Sequence, residues 1–152
     1  MNLLARRPYS RSGLRERLLE KYSDIEADAA VARLVEQGLL EDRAYAESFV
    51  RERFERRGQG RLRIIDGLRT AGVDAALAEA VVADMIDDRA ERERAAAVLA
   101  VYRRRRGVGG IGGVAGRKTT ADRAHGEEAA FRHLTGRGFA AELVRDLLGV
   151  SL

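Results

Sequence analysis

The chain has 152 residues, 45% of them hydrophobic and 34% charged, and its 28 basic against 24 acidic side chains leave a formal net charge of only +4. That length fits one domain or a small repeat array, and an apolar share near the globular norm of about 45–50% excludes a wholly disordered chain. Cysteine is absent, which excludes a disulfide scaffold, a thiolate zinc site and a thiol nucleophile.

With 5% aromatic residues, the core has to be aliphatic and rich in alanine. No apolar run approaches the roughly 20 residues that span a bilayer. Residues 1–8 carry Arg6 and Arg7 but no apolar stretch, so no secretory signal is expected and the expected location is cytoplasmic. Runs of alternating apolar and polar residues are nearly absent, whereas helical spacing recurs along the whole chain.

Pro8 restricts Arg7 and marks a break, after a piece over 1–7 that is a helix or the stub of one. Leu14, Leu18 and Tyr22 then predict a helix over about 12–22. Ser23 and Glu26 form a capping box, in which each side chain satisfies the other's free amide. The box opens a helix over about 25–37 with Ala27, Val31, Leu34 and Val35 on its apolar face. Gly38 closes that helix, and Asp42 reads as the N-cap of the next, about 42–57, with Tyr45, Phe49 and Phe54 near one face. Leu62, Ile65 and Leu68 place a helix over about 61–71 that ends at Gly72; Asp74 caps one over about 74–86. Asp88 and Glu91 read as a second capping box, opening a helix over about 88–106. Ala130 and Leu134 mark a helix over about 127–137, closed by Gly138, and Leu143, Leu147 and Leu148 one over about 140–149.

The turn Leu68 to Val73 matches Leu134 to Phe139 in spacing, and Leu19 to Ile25 is a looser match with one extra residue and no glycine. The chain therefore parses into three units of three helices: 1–37 with its first helix truncated, 42–86, and 88–149. From Gly107 to Gly116 six of ten residues are glycine, and no periodicity returns before Gly126. About 107–126 is expected to be a flexible insertion in the third unit.

Charge is segregated. Residues 1–22, 51–70 and 103–126 sum to +4, +4 and +6, whereas 23–50 and 71–102 sum to −5 and −4. Part of this follows from acids favouring helix N-termini and bases C-termini. Stacked units would also align the basic blocks into a stripe suited to nucleic acid or an acidic groove. The stripe would consist of Arg6 and Arg7; Arg51, Arg53, Arg56, Arg57, Arg61 and Arg63; and Arg103, Arg104 and Arg105.

Other motifs carry little weight. Gly107, Gly109 and Gly112 match G-x-G-x-x-G, but four arginines precede them where the dinucleotide fingerprint needs a strand. Gly116 to Thr119 lacks the spacing and frame of a P-loop. His125 and His133 have no neighbouring cysteine, and no serine sits in a nucleophile elbow. Neither catalysis nor a bound metal or cofactor is expected.

Leu34 to Arg53 contains Gly38, Leu40, Glu41-Asp42, Tyr45-Ala46, Phe49-Val50 and Arg53, and Arg56-Arg57-Gly58-Gln59-Gly60 follows. In that order they resemble the RecX family of bacterial recombination regulators. Leu4 to Leu14 looks like the family's opening motif, and Arg132 to Phe139 matches its third unit weakly. Gln59, Arg61 and Gly13 depart from the lysine, proline and glutamate usual there. The resemblance implies an all-α fold of three tandem three-helix repeats in a curved array. It also implies binding to the RecA–single-stranded DNA filament, with tuning of strand exchange, ATPase and coprotease activities, in a protein that is not an enzyme. A monomer with weak phosphate contacts and no membrane partner is expected. The alternative is a helix-turn-helix transcriptional regulator that binds DNA directly. Against it, the second helices of its two candidate pairs carry Asp74, Glu79 and Asp84, and Glu142 and Asp146, where a recognition helix should be basic.

Overall fold

The computed structural model describes residues 7–108 and 120–150, and every regular element among them is helical. The helices are α1 (Arg11–Leu19), α2 (Asp24–Glu36), α3 (Asp42–Arg51), α4 (Arg61–Thr70), α5 (Ala75–Met85), α6 (Asp88–Val108), α7 (Thr120–Gly136) and α8 (Ala141–Leu148). Between α3 and α4 the chain passes through a π-helical turn, Glu52–Arg56. The predicted single helix over 42–57 is thus a shorter α-helix whose last turn widens.

The caps account for most boundaries. Ser10 opens α1, its hydroxyl accepting from the Gly13 N–H at 3.0 Å. Ser23 and Glu26 form the expected reciprocal box at α2. Asp74 accepts from the amides of Ala76 and Leu77 at the start of α5. Two predicted caps have other roles. Asp42 lies inside α3, after Glu41 at the N-cap, and its carboxylate accepts from the Arg11 N–H at 2.7 Å, so it serves the exposed first turn of α1. At α6 the cap is Asp87, which accepts from the Ala90 N–H at 2.7 Å. Asp88 and Glu91 turn instead to Arg61.

The glycine-rich stretch needs a similar correction. Residues 107–108 belong to α6 and 120–126 to α7; 109–119 lie outside the described residues. Residues 120–128 are all exposed, so this first part of α7 has no apolar stripe for periodicity to reveal, while Asp122 in its first turn suits the N-terminal dipole. The 1–7 piece also lies, but for Arg7, outside the described residues.

The helices divide between two compact units. One runs to Arg53 and takes in Ile64–Met85; the other comprises Phe54–Arg63 and the chain from Ile86 onward. In the first, α1 packs on α2 and α3 on α5, burying Leu14, Ala27, Ala46, Val50, Ile64, Leu68, Val73, Ala78, Val81 and Val82. In the second, α6, α7 and α8 close around Ala95, Leu99, Ala130, Leu134, Phe139 and Val144. Phe139 is the largest fully buried side chain; the rest is aliphatic, as 5% aromatics requires.

Each unit contains the same joint. Gly72, at φ +84° after α4, packs on the start of α1, where the Ser10 hydroxyl donates to the Ala71 carbonyl and the Ser12 hydroxyl to the Gly72 carbonyl. Gly138, at φ +90° after α7, packs on the start of α4. There the Gly60 N–H donates to the Arg137 carbonyl at 2.8 Å and the Leu62 N–H to the Gly138 carbonyl at 3.1 Å. The turn between α1 and α2 has no glycine and no helix start docked against it among the described residues.

Candidate functional site

The first unit holds three of the described basic candidates. Arg7 lies over the Tyr9 ring at 4.6 Å. Arg53 lies over Phe49 at 4.7 Å, one helical turn back, with its Nε 3.3 Å from Glu52. Stacking holds these two guanidiniums against the surface, where a cation over a ring gains about 0.5–1 kcal/mol. Arg51 is exposed and makes a long 3.5 Å contact to the Ser48 hydroxyl. Arg6 lies outside the described residues.

The second unit collects more. The end of the π-helical turn and the loop after it, α6 from Arg94 to Arg106 and the end of α7 line a cleft of about 520 Å³. Six arginines line it: Arg56, Arg57, Arg94, Arg105, Arg106 and Arg137. Glu55 is the only acid among the described residues that line it. Gly58 and Val98 form part of its wall, and a Cβ on Gly58 would lie 2.9 Å from Val98, so the backbone approaches α6 closely there. The Arg137 guanidinium donates to the Arg57 carbonyl at 2.7 Å, tying the α7 end of the cleft to the loop. Arg94 lies over Phe54 at 5.2 Å and Arg106 over Tyr102 at 5.5 Å.

Tyr102 and His133 stack inside this cleft, with ring centroids 4.3 Å apart and planes 23° from parallel. Burial, then the nearby charges of Arg137 and Arg105, hold the His133 imidazole below its ordinary value and favour its neutral form. Six guanidiniums and one carboxylate give the recess a net positive charge, and planar guanidinium forks suit phosphate or carboxylate oxygens.

Of the predicted stripe, the cleft brings together Arg56, Arg57 and Arg105. Arg61 is engaged elsewhere: its guanidinium pairs with Asp88 at 2.7 Å and Glu91 at 3.2 Å, and its N–H donates to the Glu91 carboxylate at 3.0 Å. Glu91 is buried, so this contact between the start of α4 and α6 is internal. Arg63 donates to the Gly136 carbonyl at 2.9 Å and so belongs to the joint around Gly138. Arg103 lines a second, smaller recess with Arg123 and Asp122, and Arg104 is exposed. Arg94, Arg106, Arg137, Tyr102 and His133 are additions to the predicted set. Arg94 stands three turns before the Arg103–Arg106 run, and Arg137 sits between two turn glycines. Only the tertiary fold brings them to the same recess.

Among the described residues no cluster of acids and histidines converges as metal ligands, and no helix is long and apolar enough to cross a membrane.

Comparison with known proteins places this geometry in context. Residues 42–82 match the second three-helix domain of RecX, and residues 1–34 its first. A Regulatory protein RecX of Thermus thermophilus is 38% identical over 139 residues, covering 91% of this chain and 80% of the relative. That of Halorhodospira halophila is 37% identical over 146 residues, covering 95% and 81%. The crystal structure of RecX from Lactobacillus salivarius superposes with a TM-score of 0.77 at 17% identity, over 97% of this chain and 88% of that one. At that identity the superposition bears on the fold alone.

Proposed function

This chain belongs to the RecX family of regulatory proteins, and from that membership we propose that it regulates the RecA recombinase. In this reading it acts on the RecA–single-stranded DNA filament, mainly as an inhibitor, and modulates strand exchange, ATPase and coprotease activities during recombination, repair and the SOS response. It does so as a cytoplasmic monomer through contacts, without chemistry of its own. In this reading the array consists of three tandem units, 1–37, 42–86 and 88–149, and the recurrence of one glycine turn at Gly72 and Gly138 suits a repeat.

The observation that carries the reading is the arginine cleft. A filament of protein and DNA offers repeated phosphates and carboxylates, and a surface with six guanidiniums to one acid is complementary to both. Contacts from several units on one filament add through effective concentration, so each can be modest. The alternative, direct reading of duplex DNA by a helix-turn-helix, draws less support. Helix α5 has no basic residue, and α8 carries Glu142 and Asp146 against Arg145 alone. A helix entering the major groove of a polyanion needs the opposite balance.

The test is binding to assembled filaments. Immobilised single-stranded DNA is coated with RecA in the presence of a non-hydrolysable ATP analogue, and retention of this chain is compared with that on RecA alone and on duplex DNA alone. Retention that requires the assembled filament supports the proposal. Equal or tighter retention on naked duplex would overturn it in favour of direct DNA reading.

A further inference from the structure

We propose that the cleft of the second unit is a binding site for the phosphodiester backbone of single-stranded nucleic acid, and that His133 forms part of its binding surface. The inference deepens the regulatory reading above and rests on it for biological context, but it concerns this chain alone, without the recombinase.

Three observations lead to it. First, the charge is concave: six arginines surround a recess of about 520 Å³ that contains one carboxylate. Convergent cations in a recess bind anions more strongly than the same cations spread on a convex face, because water is displaced and field lines are focused. Second, the site carries a ready-made stack. Tyr102 and His133 lie face to face at 4.3 Å, with Arg106 over the Tyr102 ring at 5.5 Å. Single-strand sites combine a cationic track with aromatic platforms for unstacked bases, and an acidic peptide has no use for the second feature. Third, the recess is small. A duplex presents its phosphates on a stiff rod that does not bend into a hollow of this size, whereas a single strand is supple.

The histidine gives the site a proton-linked character. The groups that share the cleft with His133 are Glu55, Arg56 and Arg57 from the loop side, Arg94, Tyr102, Arg105 and Arg106 from α6, and Arg137 from the turn that ends its own helix. Cations dominate, so the empty cleft disfavours an imidazolium. A bound phosphodiester offsets that field and favours the charged form. Binding therefore takes up a proton, and affinity rises as pH falls from 7.5 towards 6.

The test uses the full chain and a fluorescein-labelled oligothymidylate of about 15 nucleotides without a terminal phosphate, followed by anisotropy. The wild type should bind more tightly at pH 6 than at pH 7.5, with affinity falling as salt rises. Arg56→Ala/Arg105→Ala should weaken binding at least tenfold and reduce the salt slope by about 1.4, two contacts at roughly 0.7 each. Arg33→Ala, an exposed arginine of the first unit, should change affinity less than twofold. His133→Gln should weaken binding at pH 7.5, because the ring leaves the stack, and abolish the further gain at pH 6. Arg94→Ala repeats the test, should the double variant melt below the assay temperature. Unchanged binding by a folded double variant would overturn the proposal. So would an oligothymidylate that fails to bind while polyglutamate does, since the cleft would then be a site for acidic protein. The RecA reading fails separately. A chain that binds the oligonucleotide through this cleft but leaves RecA untouched sinks that reading and keeps this one.

Discussion

A Cβ placed on Gly138 would fall within 3.0 Å of the Cβ, Cα and backbone N of Arg63, closer than real Cβ atoms approach. The same holds for Gly72 against the Cβ and Oγ of Ser12. In both cases a glycine at positive φ lets the turn after one helix press against the first residues of another. Gly38 also has positive φ and ends its helix with the same hydrogen-bond pattern, yet a Cβ there would meet nothing within 4 Å. The left-handed turn explains Gly38; the turn and the docking together explain Gly72 and Gly138.

The contrast gives a stability prediction. Gly38→Ala should cost only the left-handed strain, about 1–2 kcal/mol. Gly138→Ala adds a steric clash worth about 1–3 kcal/mol more. Urea and thermal melts of the two variants should therefore separate by several degrees, with Gly138→Ala the weaker. Equal midpoints would show that the docking contact contributes nothing.

Arg61 and Arg56 should also part company. Arg61→Ala leaves the buried Glu91 carboxylate without its guanidinium partner, although the Arg61 backbone N–H remains. The expected loss is about 1–3 kcal/mol. Arg56 is exposed, and Arg56→Ala should stay within about 0.5 kcal/mol. Denaturation curves decide it, and an Arg61→Ala variant as stable as wild type would contradict the internal role given to that arginine.

These arginines also show what the sequence can and cannot disclose. Capping at Ser23 and Asp74, the three closing glycines and the helices between them are legible because caps, left-handed turns and apolar stripes are local signals. The start of α7 is not, because its exposed first turns have no stripe. In the site, Arg56, Arg57 and Arg105 are legible as runs of charge. The diversion of Arg61 to Asp88 and Glu91 is not, and neither is the arrival of Arg94, Arg137 and His133 in the same recess. Those depend on contacts across 27 to 80 residues of sequence, which no window along the chain reports. For the same reason a local reading of Asp42 as a cap fails: it faces Arg11, 31 residues away.

The Ser23 box offers a check on the local signals. The Glu26 carboxylate is held below its usual range by the Ser23 backbone N–H and then the Ser23 hydroxyl. Ser23→Ala should cost about 1 kcal/mol at pH 7, as N-cap losses do. Because a depressed carboxylate stabilises only while ionised, Glu26's own contribution is present above its unfolded value near 4.5 and lost as pH falls below it. The gap between wild type and Glu26→Gln, followed by circular dichroism across that range, should therefore close in acid. A gap independent of pH would contradict the box.

His133 acts with the opposite sign. Its folded value lies below the ordinary 6.5, through burial and then Arg137 and Arg105. The unfolded chain therefore binds the proton first, and stability falls as pH drops below about 6.5 while staying level above it. His133→Gln should flatten that decline between pH 7 and 5.5. A variant whose melting temperature follows the wild-type curve throughout that interval would show that the imidazole does not feel the arginines around it.

The central claim is regulation of RecA, and its most direct measurement is ATP hydrolysis by pre-formed RecA filaments on single-stranded DNA, from the bacterium that supplies this chain. Addition of the wild-type chain should lower the rate at or below one molecule per RecA. A folded Arg56→Glu/Arg57→Glu/Arg105→Glu variant should lower it far less. An unchanged rate at stoichiometric wild-type protein would contradict the account.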